Sequence, residues 1–366
     1  MGRKNRLPIG MTAPTSIFYP GTVDELVEFV RATPRVVAVG AGTKPRLAAA
    51  PPDFAPVSLR NLSGVVEYEP SEFTFTARAG TPLREVVAAL GACGQYLPFD
   101  PMLAGAGATL GGTVAAGLNG PGRIRFGGLR DFILGVKLVD GEGRLLSLGG
   151  KVVKNAAGFD VPKFLVGSAG RFGVIAELTF KVFPRPLALR TLRLDAADGA
   201  RKAAALMALA RGRWELDALD AAVGEGAVFA RIASHADALD PLTQDLLQQW
   251  PGAVMTPGDA NLLWQSVTEM RWTHTGGTLA KAAITPRDVP DFIAWVRAQP
   301  AARGWVSCGG NAGFASCPAG ATLTGSKWPS VTLRGDGPLY ASPRPSAAIF
   351  ANVERAFDPK GKFPPL

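Results

Sequence analysis

The sequence predicts an α+β protein in two parts, and three observations predict it. Short strands alternate with helices over the N-terminal part, glycine is then crowded into one stretch, and after Phe183-Pro-Arg-Pro186 alanine-rich helices alternate with strands. From Pro101 to Gly173 there are 18 glycines in 73 residues, against 26 in the other 293. Strands over 132–139 and 174–182 interrupt that stretch, so it is not a flexible spacer. It reads as backbone that must bend sharply or approach something closely.

Thr22 with Glu25 forms a capping box, and Val23, Leu26, Val27 and Val30 recur at helical spacing, predicting a helix over 22–32. Pro34 stops it, Arg35–Val39 reads as a short buried strand, and Gly40-Ala-Gly-Thr-Lys44 follows as a turn. Strands are predicted over 65–68 and 72–79, the second placing Phe73, Phe75 and Ala77 on one face. Thr81-Pro82 starts a helix carrying Leu83, Val86, Val87 and Leu90, closed by Gly91 and Gly94. Alternation of Val174, Ala176, Leu178 and Phe180 gives the strand that leaves the glycine-rich stretch.

In the second part, helices are predicted over 197–212, 237–250 and 286–299, and strands over 187–194, 226–233 and 278–284. Thr285-Pro286 marks a helix start. The tail reads as a helix over 346–357 and a proline-fixed extended end.

With 366 residues and 47% hydrophobic content, the chain can bury a sizeable core. The basic start lacks the apolar stretch that secretion needs, and no segment approaches the roughly 18 consecutive apolar residues of a membrane span. This predicts a cytoplasmic protein, any contact with the inner membrane being made through partners. Cys93, Cys308 and Cys317 are too few for a disulfide framework or an iron–sulfur cluster and are expected to be small buried side chains. The net charge of +9 calls for an anionic partner. Between Arg123 and Arg185 eleven Lys/Arg stand against five acids, but among glycines, with no basic run and no aromatic platform for stacking bases. A small anion or an acidic protein fits better than nucleic acid.

Val39-Gly-Ala-Gly-Thr-Lys44 follows a strand directly, and its two glycines let consecutive N–H groups converge on a phosphate. A Rossmann fingerprint is not met, since Pro45 stands where its last glycine would be and Leu59-Arg60-Asn61-Leu62 where its acid would be. In Asp100–Gly120, small residues with Thr109 and Thr113 present bare backbone, and Leu110-Gly111-Gly112 reads as a sharp turn able to reach a pyrophosphate. Lys151-Val-Val-Lys-Asn-Ala-Ala-Gly-Phe-Asp160 and Gly167-Ser-Ala-Gly-Arg-Phe-Gly-Val-Ile175 complete the series.

In this order and at these spacings the motifs resemble the FAD-linked oxidases of the vanillyl-alcohol oxidase type. The resemblance covers residues 15–185 and is most similar to the flavin subunits of bacterial glycolate oxidases. It implies a two-lobed PCMH-type FAD-binding domain over 1–185, with the tail 346–366 returning to it, and an antiparallel-sheet α+β cap domain over 186–345. It implies that Gly40, Ala41, Gly42, Thr43 and Lys44 cradle the FAD pyrophosphate, and that Thr109, Gly111, Gly112 and Ala115 run along the diphosphate and ring. Gly170, Gly173 and Ile175 would line the adenine side, while Lys154, Asn155 and Asp160 match the family motif. The implied partners are a D-type flavin subunit and an F-type iron–sulfur subunit, with electrons passing through this chain.

Two departures qualify the resemblance. The first histidine is His235, so histidyl attachment of FAD within that domain is excluded and the cofactor is expected to be non-covalent. Where relatives end on asparagine-proline, this chain has Phe363-Pro364-Pro365. Relatives that oxidise 2-hydroxy acids use a histidine-rich, metal-holding cap cluster, whereas only His235 and His274 occur here. Loss of hydride from an alcohol carbon needs a base for the hydroxyl proton. His274, with Arg271 as a carboxylate clamp, is the one candidate pair for a small 2-hydroxy acid. The tryptophans Trp214, Trp250, Trp264 and Trp272 could roof a flavin or fill the core. Three readings stay open: an electron-carrying subunit, a self-sufficient oxidase, and a nucleotide-binding scaffold without turnover.

Overall fold

The computed structural model describes residues 16–150, 160–341 and 347–365. Its first helix, Val23–Ala32, starts at Thr22, whose hydroxyl accepts the Glu25 N–H at 3.1 Å. Leu26 and Val30 are its buried face. Strand Val36–Val39 follows and pairs in parallel with Ala55–Ser58, which a proline hides from any strand pattern. The tail comes back to this lobe: the Val36 N–H donates to Lys362 O at 2.7 Å, and Lys362 Nζ donates to Val30 O and, at 2.9 Å, to Arg31 O.

A five-stranded antiparallel sheet runs in the order Val65–Glu69, Thr74–Arg78, Val174–Lys181, Ile133–Val139, Leu145–Gly149. Val174, Ala176, Leu178 and Phe180 on the central strand are all fully buried, as their alternation predicts. Phe73 departs from expectation. It ends the turn Pro70–Glu72 at φ +54 and is 40% exposed, so the strand starts after it. Helix Leu83–Ala92 includes Gly91, and Gly94 at φ +66 follows its end.

The second sheet has nine strands, all paired antiparallel, with Ala188–Asp195, Ala227–Ser234, Ala218–Ala222, Arg303–Ser307, Ala312–Cys317, Thr278–Ala282 and Ser330–Arg334 in order across its middle. Its central strands are buried on both faces. Val228, Ala230 and Ile232 pack with Leu206, Leu246 and Phe292 from the helices Gly199–Ala210, Ala236–Gln249 and Val289–Ala298. Phe229, Trp305 and Phe314 share one core with the N-terminal part. A helix over Pro257–Thr268, absent from the sequence reading, begins at Thr256, whose hydroxyl accepts the Asp259 N–H.

Two polar clamps join sheet and N-terminal part. Arg231, 10% exposed at its side chain, reaches Asp100 and Asp217 at 2.5 Å each and lies 5.0 Å over the Trp264 ring. The Glu269 carboxylate accepts the N–H groups of Gly105 and Ala106 at 2.8 and 3.1 Å. Trp214 and Trp264 are core residues, their indoles donating to Asp245 and Thr191. Cys308 and Cys317 are buried, whereas Cys93 is exposed, contrary to expectation. No helix among the described residues is long and apolar enough to cross a membrane.

Candidate functional site

Three segments meet around one open cleft with about 750 Å³ between its walls, part of it open to solvent. Gly40, Ala41, Gly42, Thr43 and Lys44 line it from the turn after the first strand. Thr109, Gly111, Gly112 and Ala115 form the facing wall, and Gly170, Gly173 and Ile175 close it at the central strand of the five-stranded sheet. All the cofactor residues expected from the motifs are thus brought together. Leu59, Ala79 and Ala169 join them, small or apolar residues that no pattern singled out.

The first segment keeps its donors available. Among the described residues, the N–H groups of Ala41, Gly42, Thr43 and Lys44 donate to no protein acceptor. Gly42 takes φ +74, a conformation that favours glycine, with open space where a Cβ would stand. Lys44 is 8% exposed, its ammonium bonded to Thr43 Oγ1 at 2.9 Å, and it has no ion-pair partner among the described residues. Burial lowers it to about 8. A buried cation without a counter-charge beside unpaired amides fits a diphosphate.

The second segment differs from the expected turn. Leu110–Ala116 is a short helix capped by Thr109, whose hydroxyl accepts the Gly112 N–H at 3.2 Å. The Leu110 N–H donates to Thr81 O and the Gly111 N–H to Ala79 O, at 2.9 and 2.8 Å. These amides are spent inside the protein. The glycines serve closeness instead: a Cβ on Gly111 would meet Ala79 Cβ at 2.6 Å, and one on Gly40 would meet Thr109 Oγ1 at 2.9 Å.

Lys154 and Asn155 lie outside the described residues. Asp160 accepts the Lys163 N–H at 3.3 Å and pairs with its ammonium at 2.7 Å, a local cap. His274 and Arg271 lie away from the cleft lining: the His274 N–H donates to Ser316 Oγ at 3.1 Å, its Nε2 sits 2.9 Å from Ala301 O, and Arg271 is exposed. Among the described residues no group of His, Cys, Asp or Glu could hold a metal ion.

A second cavity, with about 820 Å³ between its walls on the same measure and likewise partly open to solvent, adjoins the cleft, sharing Leu47, Ala115 and Ala116 with it. Lys281, from the middle of strand Thr278–Ala282, reaches across to donate to Gly117 O at 3.1 Å. Burial, and then the nearby Arg123, lower its ammonium to about 8. Arg123 and Arg130 also line this cavity, with Asp131 as its one carboxylate, already accepting the Gly128 N–H at 2.8 Å. The signal the sequence offered was a lone lysine within the apolar run Thr278-Leu-Ala-Lys-Ala-Ala-Ile284.

Residues 14–149 match the model of a family described as an FAD binding domain. The chain is 47% identical over 139 residues to "Glycolate oxidase subunit GlcE" of Escherichia coli K12, covering 38% of this chain and 40% of that protein. It is 33% identical over 192 residues to a "D-2-hydroxyglutarate dehydrogenase" of Xanthomonas citri, and 26% over 190 to "Glycolate oxidase subunit GlcD" of Bacillus subtilis, in each case 50% of this chain and 40% of the relative. The matches therefore span about 40% of the length of these relatives. In fold it is similar to an alkyldihydroxyacetonephosphate synthase structure, with a TM-score of 0.69 at 14% identity, covering 94% of this chain and 76% of that one.

Proposed function

We propose, starting from a chain that belongs to the FAD-binding oxidoreductases and takes FAD as its cofactor, that it is the E-type flavin subunit of a glycolate oxidase complex. In this reading residues 1–185 with the tail hold non-covalent FAD, and 186–345 form the cap that faces substrate or partner. The cleft carries the reading: unpaired amides of Ala41–Lys44 and the buried Lys44 ammonium meet the diphosphate, while Gly111 and Gly112 keep the opposite wall close. FAD supplies a two-electron acceptor; this chain's residues position it. Electrons would pass between a D-type flavin subunit and an F-type iron–sulfur subunit, in oxidation of glycolate to glyoxylate.

The placement of the two histidines favours this division of labour. His274 is tied to Ala301 and Ser316 and lines neither the cleft nor the cavity beside it, so no histidine is at hand to take a hydroxyl proton there. The adjoining cationic cavity favours a second reading, in which the chain itself oxidises a small 2-hydroxy acid.

One experiment separates them. The first reading expects a yellow purified protein whose flavin is released into the supernatant by acid precipitation. Anaerobic glycolate leaves that flavin oxidised until the D-type subunit is added. Rapid bleaching of the chain alone would establish the second reading, and a colourless protein would reject both.

A further inference from the structure

One corner of the nine-stranded sheet holds both walls of the cleft. Strands Thr278–Ala282 and Ser330–Arg334 pair antiparallel there, with Lys281 opposite Val331 in register. The second strand runs on into a tight hairpin, in which the Thr332 N–H donates to Leu339 O at 2.9 Å and the Thr332 hydroxyl to Pro338 O at 2.7 Å. Gly335, at φ +83, seats this hairpin on the neighbouring strand, since a Cβ there would meet Thr278 Cα at 2.5 Å. Strand and hairpin so closely packed move as one piece.

From that piece one bond runs to each wall. Arg46 stands two residues beyond the Gly40–Lys44 turn, in the 3₁₀ turn Pro45–Ala48 that packs on strand Ser330–Arg334, and its Nη2 donates to Gly337 O at 2.7 Å. The Leu47 N–H donates to Lys44 O at 3.2 Å, so a shift of this turn carries the buried Lys44 with it. On the facing wall Lys281 Nζ donates to Gly117 O at 3.1 Å, an oxygen that also accepts Asn119 Nδ2 at 3.2 Å. Gly117 ends the helix Leu110–Ala116 at φ +58. An ammonium suits that place, because the last carbonyls of a helix have no partner within it. Neither Arg46 nor Lys281 lines the cleft itself.

We propose that this corner of the cap is a spacer for the flavin cleft, with Arg46 and Lys281 as positioning residues that fix the gap between its two walls. The inference rests on the FAD reading above and goes beyond it, giving the cap a part in holding the cofactor through residues outside the cleft lining. One wall offers amides and the other presses close, so affinity depends on the distance between them. A wall released from the cap must be ordered again when the cofactor binds, and affinity falls by that cost. With one wall released the gap is already free, so releasing the second adds little.

The test starts from FAD-loaded protein and measures FAD affinity by equilibrium dialysis, with urea unfolding of the same samples to separate affinity from stability. Arg46→Met and Lys281→Met each lose about tenfold in affinity, and the double variant loses about twentyfold rather than the product of the two. Lys281→Arg, which keeps the charge and a donor, stays within about threefold of wild type. Gly335→Ala lies outside the cleft lining, yet loses several fold because the hairpin must shift off Thr278. Unchanged affinity in either Met variant would overturn the spacer, and so would a double variant that loses the full product, the mark of two independent contacts. Should a Met variant fail to fold, unchanged affinity in Gly335→Ala would do the same. A wild-type chain without affinity for FAD would reject the reading beneath the spacer, whereas variants that match an FAD-bound wild type reject the spacer alone.

Discussion

The two glycine-rich walls of the cleft do opposite work. In the Ala41–Lys44 turn glycine leaves donors free, because its amides have no protein acceptor among the described residues and Gly42 adopts a conformation that side chains resist. In the Thr109–Ala116 wall glycine serves the protein: amides there are satisfied internally, and the missing Cβ of Gly111 lets the wall seat on Ala79. The same residue type thus reports donors in one place and contact distance in another. Substitutions that add the same atoms to each wall should have different consequences.

The largest effect falls on the packed wall. Gly111→Val forces a side chain into Ala79, costing about 3 kcal/mol and yielding flavin-free protein; chemical unfolding and FAD content measure both. A yellow protein of unchanged stability would mean this wall yields. Next, Lys44→Met weakens FAD binding about tenfold, near 1.4 kcal/mol, without loss of stability. Wild-type affinity for FAD falls as pH rises through about 8, where the Lys44 ammonium is lost, and the variant shows no such fall. The stability of the FAD-free protein has the reverse sign. Its folded value lies below the ordinary 10.5, so stability rises between pH 8 and 10.5 and the variant flattens that rise.

Gly42→Ala meets no atom within 4 Å but is strained at φ +74, about 1 kcal/mol; equilibrium dialysis with FAD should show a loss of several fold. Thr109→Ser is the smallest change. The hydroxyl that accepts the Gly112 N–H survives, so stability shifts by less than about 0.5 kcal/mol, and a larger loss would show that the methyl group, not the cap, holds the wall.

Much of this was legible because local rules and tertiary structure agree. The Thr22 cap and the period-two burial of Val174–Phe180 are written in the residues themselves, and the ordered glycine motifs mark the segments that line the cleft. The Glu25 carboxylate takes the Gly21 N–H and so does not complete the capping box. What stayed hidden lies where tertiary burial overrides pattern. Strands Ala218–Ala222 and Ala312–Cys317 are buried at every position, so Ala-Leu-Asp-Ala-Ala and Ala-Gly-Phe-Ala-Ser-Cys show neither alternation nor strand-forming bulk. Leu110-Gly111-Gly112 looked like a turn because glycine disfavours helix, yet the Thr109 cap and the bond to Ala79 hold a helix there. Lys281 is not legible as a cavity residue because its contacts with Gly117 and the Arg123 side of the cavity are remote in sequence.

The returning tail has a consequence for how the protein is made. Lys362 grips the carbonyl at the end of the first helix 332 positions earlier, and its own carbonyl takes the first N–H of the first strand. That strand feeds directly into the Gly40–Lys44 turn. A growing chain on the ribosome therefore lacks this contact until residue 362, 332 positions after Val30, has emerged, and closure of so long a loop comes late. Cofactor capture should follow release of residues 358–363 rather than accompany the first lobe's emergence.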